Sequence, residues 1–342
     1  MKSKINATVI EAVKPPKKSV KKTSDKQEVL PVSLPVVSAS PVPTLSLPAK
    51  EPEPVLFISS DEDLEIGKVS KEEIKQAALF SREQARGLVD LYYVVQKNRI
   101  RANNKQSACK RKMDVEGSDY EPSLIANIKG DMTKTEKKII KGLKAFAESQ
   151  TLGRWCMSNY GVGPVCTAGF LAHIDLTVAR TAGSVWRFAG LLPPEYQTWE
   201  KSQKRPYNAQ LKCLCWKLGQ CFLKFHNEPE CFYGRLYKQR KEREIYYNET
   251  GRFKERAKMR LDKAMRGNYR ISPEQKEIWK SGKLQPVGLD LRATRYAVRM
   301  FISHYFEIGR KLLDLPVPKP FAFGMLKHEE SHYIPPPNWP MR

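Results

Sequence analysis

The sequence predicts a mainly α-helical body behind a long disordered N-terminal tail. Three observations lead there. After residue 70, apolar residues recur at helical spacing, and no period-2 run bounded by turn residues occurs. Residues 1–54 carry nine prolines and no aromatic residue. Fixed φ and missing donors prevent continuous helix or sheet there, and nothing large anchors a core. The 342-residue chain is 41% hydrophobic, enough for a core in the remainder.

The elements follow in order. Residues 1–66 form the tail, basic first and then acidic. Its pairs Lys17-Lys18 and Lys21-Lys22 suit a localisation patch, a phosphate-binding arm or a solvated linker. Residues 51–66 hold six acidic and no basic residues. There Val55-Leu56-Phe57-Ile58 precedes Ser59-Ser60-Asp61-Glu62-Asp63, an apolar run and acids suited to adding a strand to a partner's sheet edge. A helical part over 67–150 comes next. Ser81 with Gln84 makes a capping box, and Ala85, Leu88, Val89, Tyr92 and Val95 continue at helical spacing. Residues 103–123 are polar and read as turns. A second helix is expected from Thr135 to Ser149, with Ile139, Ile140, Leu143, Phe146 and Ala147 inward. Segment 151–225 ends in a helix over Asn208–Phe225, striped by Leu211, Leu214, Cys215, Leu218, Phe222 and Phe225. Segment 226–342 holds basic helices and a Pro- and aromatic-rich strap from Pro316 onward, packed on the same body.

Charge and composition exclude several classes. No stretch approaches about 20 apolar residues, so no membrane span is expected. No apolar run follows the start, so no secretory signal is expected. Seven cysteines, thinly spread, fit a reducing compartment better than a disulfide scaffold. The formal net charge is +23, far beyond the magnitude of about 2–8 that suits a small domain. Nine basic residues in 1–50 are offset by nine acidic ones in 1–66, so the whole excess belongs to 67–342. A folded body so charged points to a polyanion, most simply nucleic acid.

The most informative stretch is Trp155 to Ala172. A short helix ends at Gly161-Val162-Gly163, and Pro164 takes the first position of the next helix, where its missing N–H costs nothing. Two glycines permit a tight turn and close backbone approach. Ala168, Gly169 and Ala172 let the second helix pack closely. This pattern resembles a helix-hairpin-helix, completing the predicted fold class. In that motif free amides and the helix N-terminus grip a phosphate, positioning the protein without reading sequence. An ordinary turn between two helices is the structural alternative. The expected contacts are Gly161, Val162, Gly163 and Val165.

The segment beyond extends the likeness. Gly161 to Gly190 reads GVGPVCTAGFLAHIDLTVARTAGSVWRFAG, then Leu191-Leu192-Pro193, Lys201, Lys204, Arg205 and Asn208-Ala209-Gln210-Leu211-Lys212. This is similar to the C-terminal domain of the "one-ten" family of insertion-sequence transposases. That domain has a Gly-hydrophobic-Gly-Pro hairpin, an Ile-Asp stretch, a short helix, a Gly-Leu-x-Pro turn, a basic segment and an Asn-x-x-Leu-Lys/Arg helix. The match covers roughly residues 150–225. Family members also carry a RuvC-like domain whose four carboxylates bind metal. Residues 67–150 are too short for it, and Asp61, Glu62 and Asp63 cannot substitute. The family's nucleophilic serine stands in a Ser-Gly pair after the turn. Here Ser202 is the nearest serine and lacks that glycine. The resemblance implies Ser202 as the only candidate catalytic residue, and no autonomous strand transfer.

Two further surfaces are expected to extend the contact. Residues 235–266 hold 12 Lys/Arg against 5 Asp/Glu, with Tyr233, Tyr237, Tyr246, Tyr247 and Phe253 interleaved, a mixture suited to stacking bases and pairing phosphates. A helix over Asp290–Leu313 buries Ala297, Phe301, His304, Tyr305, Ile308 and Leu312 on one face. It sets Arg292, Arg295 and Arg299 on the other without an acidic neighbour, as a phosphate track would require. Metal centres are not expected. Cys213 and Cys215 lie about 200° apart on their helix, no Cys-x-x-Cys pair accompanies Cys221, His226 and Cys231, and His328 with His332 lacks a third ligand.

The sequence therefore predicts a DNA-binding protein related to transposases, acting in transposition or recombination, without cofactor. Lys201, Lys204, Arg205, Arg292, Arg295 and Arg299 extend the hairpin's grip. RNA is the alternative polyanion. A second copy of the chain and a protein docking on Val55–Ile58 are further partners left open. The expected location is the cytoplasm or nucleoid, or the nucleus in a eukaryotic host. Two alternatives stand beside it: an active recombinase using Ser202, and a non-catalytic structural protein of a mobile element or phage.

Overall fold

Serine side chains start the first two helices. The Glu73 amide donates to Ser70 Oγ at 3.1 Å, and the Gln84 amide to Ser81 Oγ at 3.2 Å. Each box closes when the carboxylate or amide at the third position accepts from the cap's own N–H. The computed structural model describes residues 69–116, 123–192, 199, 202–267, 270–318 and 333–341. Eleven helices and no strand lie among these residues. They are α1 (Lys71–Ala78), α2 (Arg82–Glu116), α3 (Ser123–Glu148), α4 (Thr151–Ser158), α5 (Pro164–His173), α6 (Ala182–Phe188), α7 (Ala209–Lys224), α8 (Phe232–Glu249), α9 (Lys254–Arg266), α10 (Pro273–Lys280) and α11 (Pro286–Leu312). The mainly α expectation holds. The tail over 1–66, with Val55–Ile58 and its acids, lies outside the described residues.

The core sits around α11. Phe301 is fully buried, with ring centroids 5.6 Å from Trp155 and Phe170, 6.2 Å from Phe222 and 5.3 Å from Tyr233. One hydrophobic cluster runs from Ala85 on α2 to Ile308 on α11, drawing on the 67–150, 151–225 and 226–342 segments alike. The predicted faces lie mostly inside: Ala85 and Val89, then Ile139, Leu143, Phe146 and Ala147, then Leu211, Leu214, Cys215, Leu218 and Phe222 are buried. Leu88, Tyr92, Val95, Ile140 and Phe225 are half-buried, and Leu312, expected on the inner face of the last helix, is exposed where that helix ends. A smaller cluster of Phe253, Ala257, Leu284 and Leu289 joins α9 to the start of α11. Asn248 pins that junction by donating to the Leu284 carbonyl at 3.1 Å and accepting its amide at 2.8 Å.

Two expectations about the second and third helices are corrected. Residues 103–116 continue α2 as helix, and α3 begins at Ser123 rather than Thr135. Polar composition had argued for turns, but the two helices pair along their length. Arg99 Nε lies 2.5 Å from Glu136 Oε1, and Lys129 Nζ 2.7 Å from Gln106 Oε1. Polar side chains thus fill the seam that apolar ones fill nearer the body.

The strap closes the core. The Trp155 indole N–H donates to the Pro337 carbonyl at 2.8 Å, and Asn338 donates to the Ser158 carbonyl at 2.9 Å. His304 is buried among apolar neighbours, as its position in the helix predicts. Its Nε2 faces the Ile334 carbonyl at 2.9 Å, which fixes the proton there and leaves Nδ1 to accept from the Tyr233 hydroxyl at 2.8 Å.

Candidate nucleic-acid interface

Five residues, 159–163, join α4 to α5. Asn159 is buried and donates to the Trp155 carbonyl at 2.6 Å, ending α4. The Val162 amide donates to the Asn159 carbonyl at 3.0 Å, closing a tight turn. Gly161 sits inside that turn at φ +88°, a conformation side chains resist. A Cβ there would lie 3.5 Å from Phe225 and 3.8 Å from Cys231 Sγ, so the turn rests on the α7–α8 junction. Tyr160 covers the same junction, edge-on to Phe225 with centroids 5.3 Å apart.

Gly163 differs. It is exposed, has an ordinary φ of −87°, and a Cβ added to it meets nothing within 4 Å. It is the N-cap of α5, and no side chain caps that helix. Pro164 contributes no N–H, and the first-turn amides that follow have no intrahelical acceptor. The α5 terminus therefore offers donors, a positive dipole end and open space. Val165 lies half-buried in that first turn. Val162 is corrected as a contact: its side chain is in the core and its amide is spent within the turn.

Two α7 cations stand near this terminus that the sequence did not single out. Lys224 Nζ lies 5.2 Å from the Phe225 ring that supports the turn. Lys217 Nζ lies 3.0 Å from the centre of the Tyr93 ring, which neighbours Cys166 in the first turn of α5. Burial lowers the Lys217 pKa, and burial holds the Cys166 thiol up at about 12, so it stays protonated. The signal for both lysines was their spacing of i, i+7 on the helix that underlies the turn.

The motif residues beyond the hairpin have local structural duties. Asp175 accepts from the Thr177 amide at 2.9 Å and pairs with Arg82 at 2.9 Å. These contacts, the Thr177 bonds foremost, hold its carboxyl down at about 2. Gly190, at φ +64°, ends α6 in a Schellman turn: its amide donates to the Arg187 carbonyl at 3.0 Å and that of Leu191 to Trp186 at 2.8 Å. Asn208 caps α7 by accepting from the Leu211 amide at 2.9 Å. That cap accounts for the Asn-x-x-Leu spacing.

The basic segment before α7 is surface. Lys204, Arg205 and Ser202 are exposed, and the Arg205 guanidinium sits 5.8 Å from the Trp199 ring. Lys201 lies outside the described residues. Among those residues no ionisable group hydrogen-bonds to Ser202.

The arginine row on α11 is corrected at two positions. Arg292 Nε bonds Oε2 of Glu244 at 2.6 Å, with its guanidinium over Phe253. Arg299 donates to the Leu191 carbonyl through Nε at 2.8 Å and again through Nη2, with Trp186 beneath it. The row faces α8 and the α6–α7 link instead of solvent, and the acid that pairs Arg292 comes from another helix. Arg295 is half-buried between them. Of the interleaved aromatics, Tyr233, Tyr237 and Phe253 are core residues; only Tyr246, at 64%, is well exposed.

Comparison with known proteins gives no match: no family model, no curated protein and no solved structure is similar to this chain. Among the described residues no helix is long and apolar enough to cross a membrane, and no group of three or more His, Cys, Asp or Glu side chains is placed to hold a metal ion. His328 and His332 lie outside the described residues.

Proposed function

We propose that the protein binds DNA through the phosphate backbone, using a helix-hairpin-helix related to that of transposases, and acts in transposition or recombination. The observation that carries this reading is the uncapped, open N-terminus of α5 beside Gly163, on a body that holds the whole +23 excess. Lys224, beside the Phe225 ring that supports the turn, supplies a cation to such a contact. Lys217 is packed on the Tyr93 ring, and Lys204 and Arg205 lie at the opposite end of α7. The order of short helix, glycine turn and Asn-capped helix after α5 supports the kinship with the transposase domain. The contact reads no base, so binding depends on salt far more than on sequence.

The test is Gly163→Asp. Aspartate is a better N-cap than glycine, so the fold is kept. Its carboxylate occupies the anion site. Filter binding with a random-sequence duplex at low salt should show at least a tenfold loss relative to the unaltered protein, with thermal stability unchanged or raised. Unchanged affinity in the folded variant overturns the reading.

A further inference from the structure

A basic arm extends from the body on the side of the hairpin. α2 runs antiparallel to α5. At one end Arg82 bonds the Leu171 and Ile174 carbonyls near the end of α5. At the other, Tyr93 meets Cys166 in its first turn. From there α2 continues to Glu116, about 35 Å at 1.5 Å per residue, past the α5 N-terminus. α3 accompanies it, through the Arg99–Glu136 and Gln106–Lys129 contacts.

Residues 97–112 hold seven Lys/Arg and no Asp/Glu. Arg99 turns into the seam with α3. Lys97, Arg101, Lys105 and Lys112 do not: all four are exposed, and no ion pair engages them among the described residues. At 100° per residue they fall within an arc of about 80°, along about 22 Å of helix. No aromatic residue lies between Lys97 and Lys112. Unpaired strands are held by cations together with stacking platforms, whereas a duplex backbone asks for charge alone. The arm offers only charge. The α2 face turned away from α3 can also approach the wide major groove of B-form DNA, which A-form RNA lacks.

We propose that the α2 face bearing Lys97, Arg101, Lys105 and Lys112 docks on double-stranded DNA, carrying the contact about six base pairs beyond the hairpin. This rests on the DNA-binding reading above, and it adds the form of the nucleic acid and a second point of contact.

The test uses the full chain with all four residues changed to Gln, good helix formers that keep α2 intact. Binding to a 20-base-pair DNA duplex, to the same single strand and to the matching RNA duplex is measured across salt. The expected result is a preference for duplex DNA, with the slope of log affinity against log salt reduced by about 3.6 in the variant. Lys105→Gln alone should lower the slope by about 1, which keeps the test valid if the quadruple variant is poorly folded. Equal slopes for variant and unaltered protein overturn the proposal; if Gly163→Asp still weakens binding, the general reading survives. Tighter binding of the unaltered protein to single strand or RNA duplex also overturns it. No binding to any probe at low salt removes both.

Discussion

Arg292 Nε lies 2.6 Å from Glu244 Oε2, and Arg240 holds the other oxygen of the same carboxylate at 2.8 Å. Glu244 is 1% exposed and lies between α8 and α11. Two guanidiniums compensate one buried anion, and Phe253 and Tyr296 lie under them. Removing the anion leaves two partly buried cations facing each other. Glu244→Ala should therefore destabilise the fold by about 3–5 kcal/mol, read as a shifted denaturation midpoint. A near-neutral effect would show that Arg292 is not held by this pair.

Gly161 and Gly163 occupy one turn but should respond differently to alanine. At φ +88° a side chain at Gly161 is strained, and Gly161→Ala should cost about 1–2 kcal/mol. Gly163 has an extended backbone and empty space around it, so Gly163→Ala should change stability little. Urea denaturation of both variants checks the contrast, and equal losses would contradict the geometry.

The strap should be coupled to the hairpin. Trp155, on the helix that enters the turn, donates to Pro337 and stacks on Phe301 at 5.6 Å. Trp155→Phe leaves the Pro337 carbonyl without its donor and shrinks a buried ring, so a loss of about 1–3 kcal/mol is expected. Faster proteolytic release of the C-terminal end in the variant would accompany it. An unchanged cleavage rate would place the strap's anchorage elsewhere.

His304 gives the fold a pH dependence. Burial lowers its pKa below 6.5, against the opposing pull of the Ile334 carbonyl and Glu307, and burial with nearby Arg86 lowers that of His173. The unfolded chain takes up these protons first. Stability is thus complete above pH 6.5 and falls as pH drops below it. The melting temperature should decrease from pH 7 to pH 5. His304→Gln should melt lower at pH 7 but lose less on acidification, with His173 supplying the remainder. An unchanged pH profile in the variant would exclude His304 as a source.

Periodicity made the buried faces legible. Ala85 and Val89, the 139–147 face of α3 and the α7 stripe are inside because an amphipathic helix has one way to bury its apolar side. The distal half of α2 was not legible, because its seam is polar. Gln106 and Arg99 pair across to Lys129 and Glu136, and only the partner helix turns those residues from turn-like composition into continuous helix. The same misreading concealed Lys97 to Lys112, although a run of cations without acids at spacings of i, i+4 was present in the sequence.

The sequence by itself determined the helical class, the segment that carries the charge, the glycine turn before Pro164 and the burial of His304. Each depends on local spacing or composition, which the chain states directly. Tertiary structure alone decided which cations are exposed. Arg292 and Arg299 look bare on a helical wheel, yet Glu244 and the Leu191 carbonyl approach them from distant parts of the chain. An electrostatic partner supplied by another element leaves no periodic trace, so the expected arginine track became internal fastening, and α2 carries an exposed row of cations that the wheel of α11 only imitated.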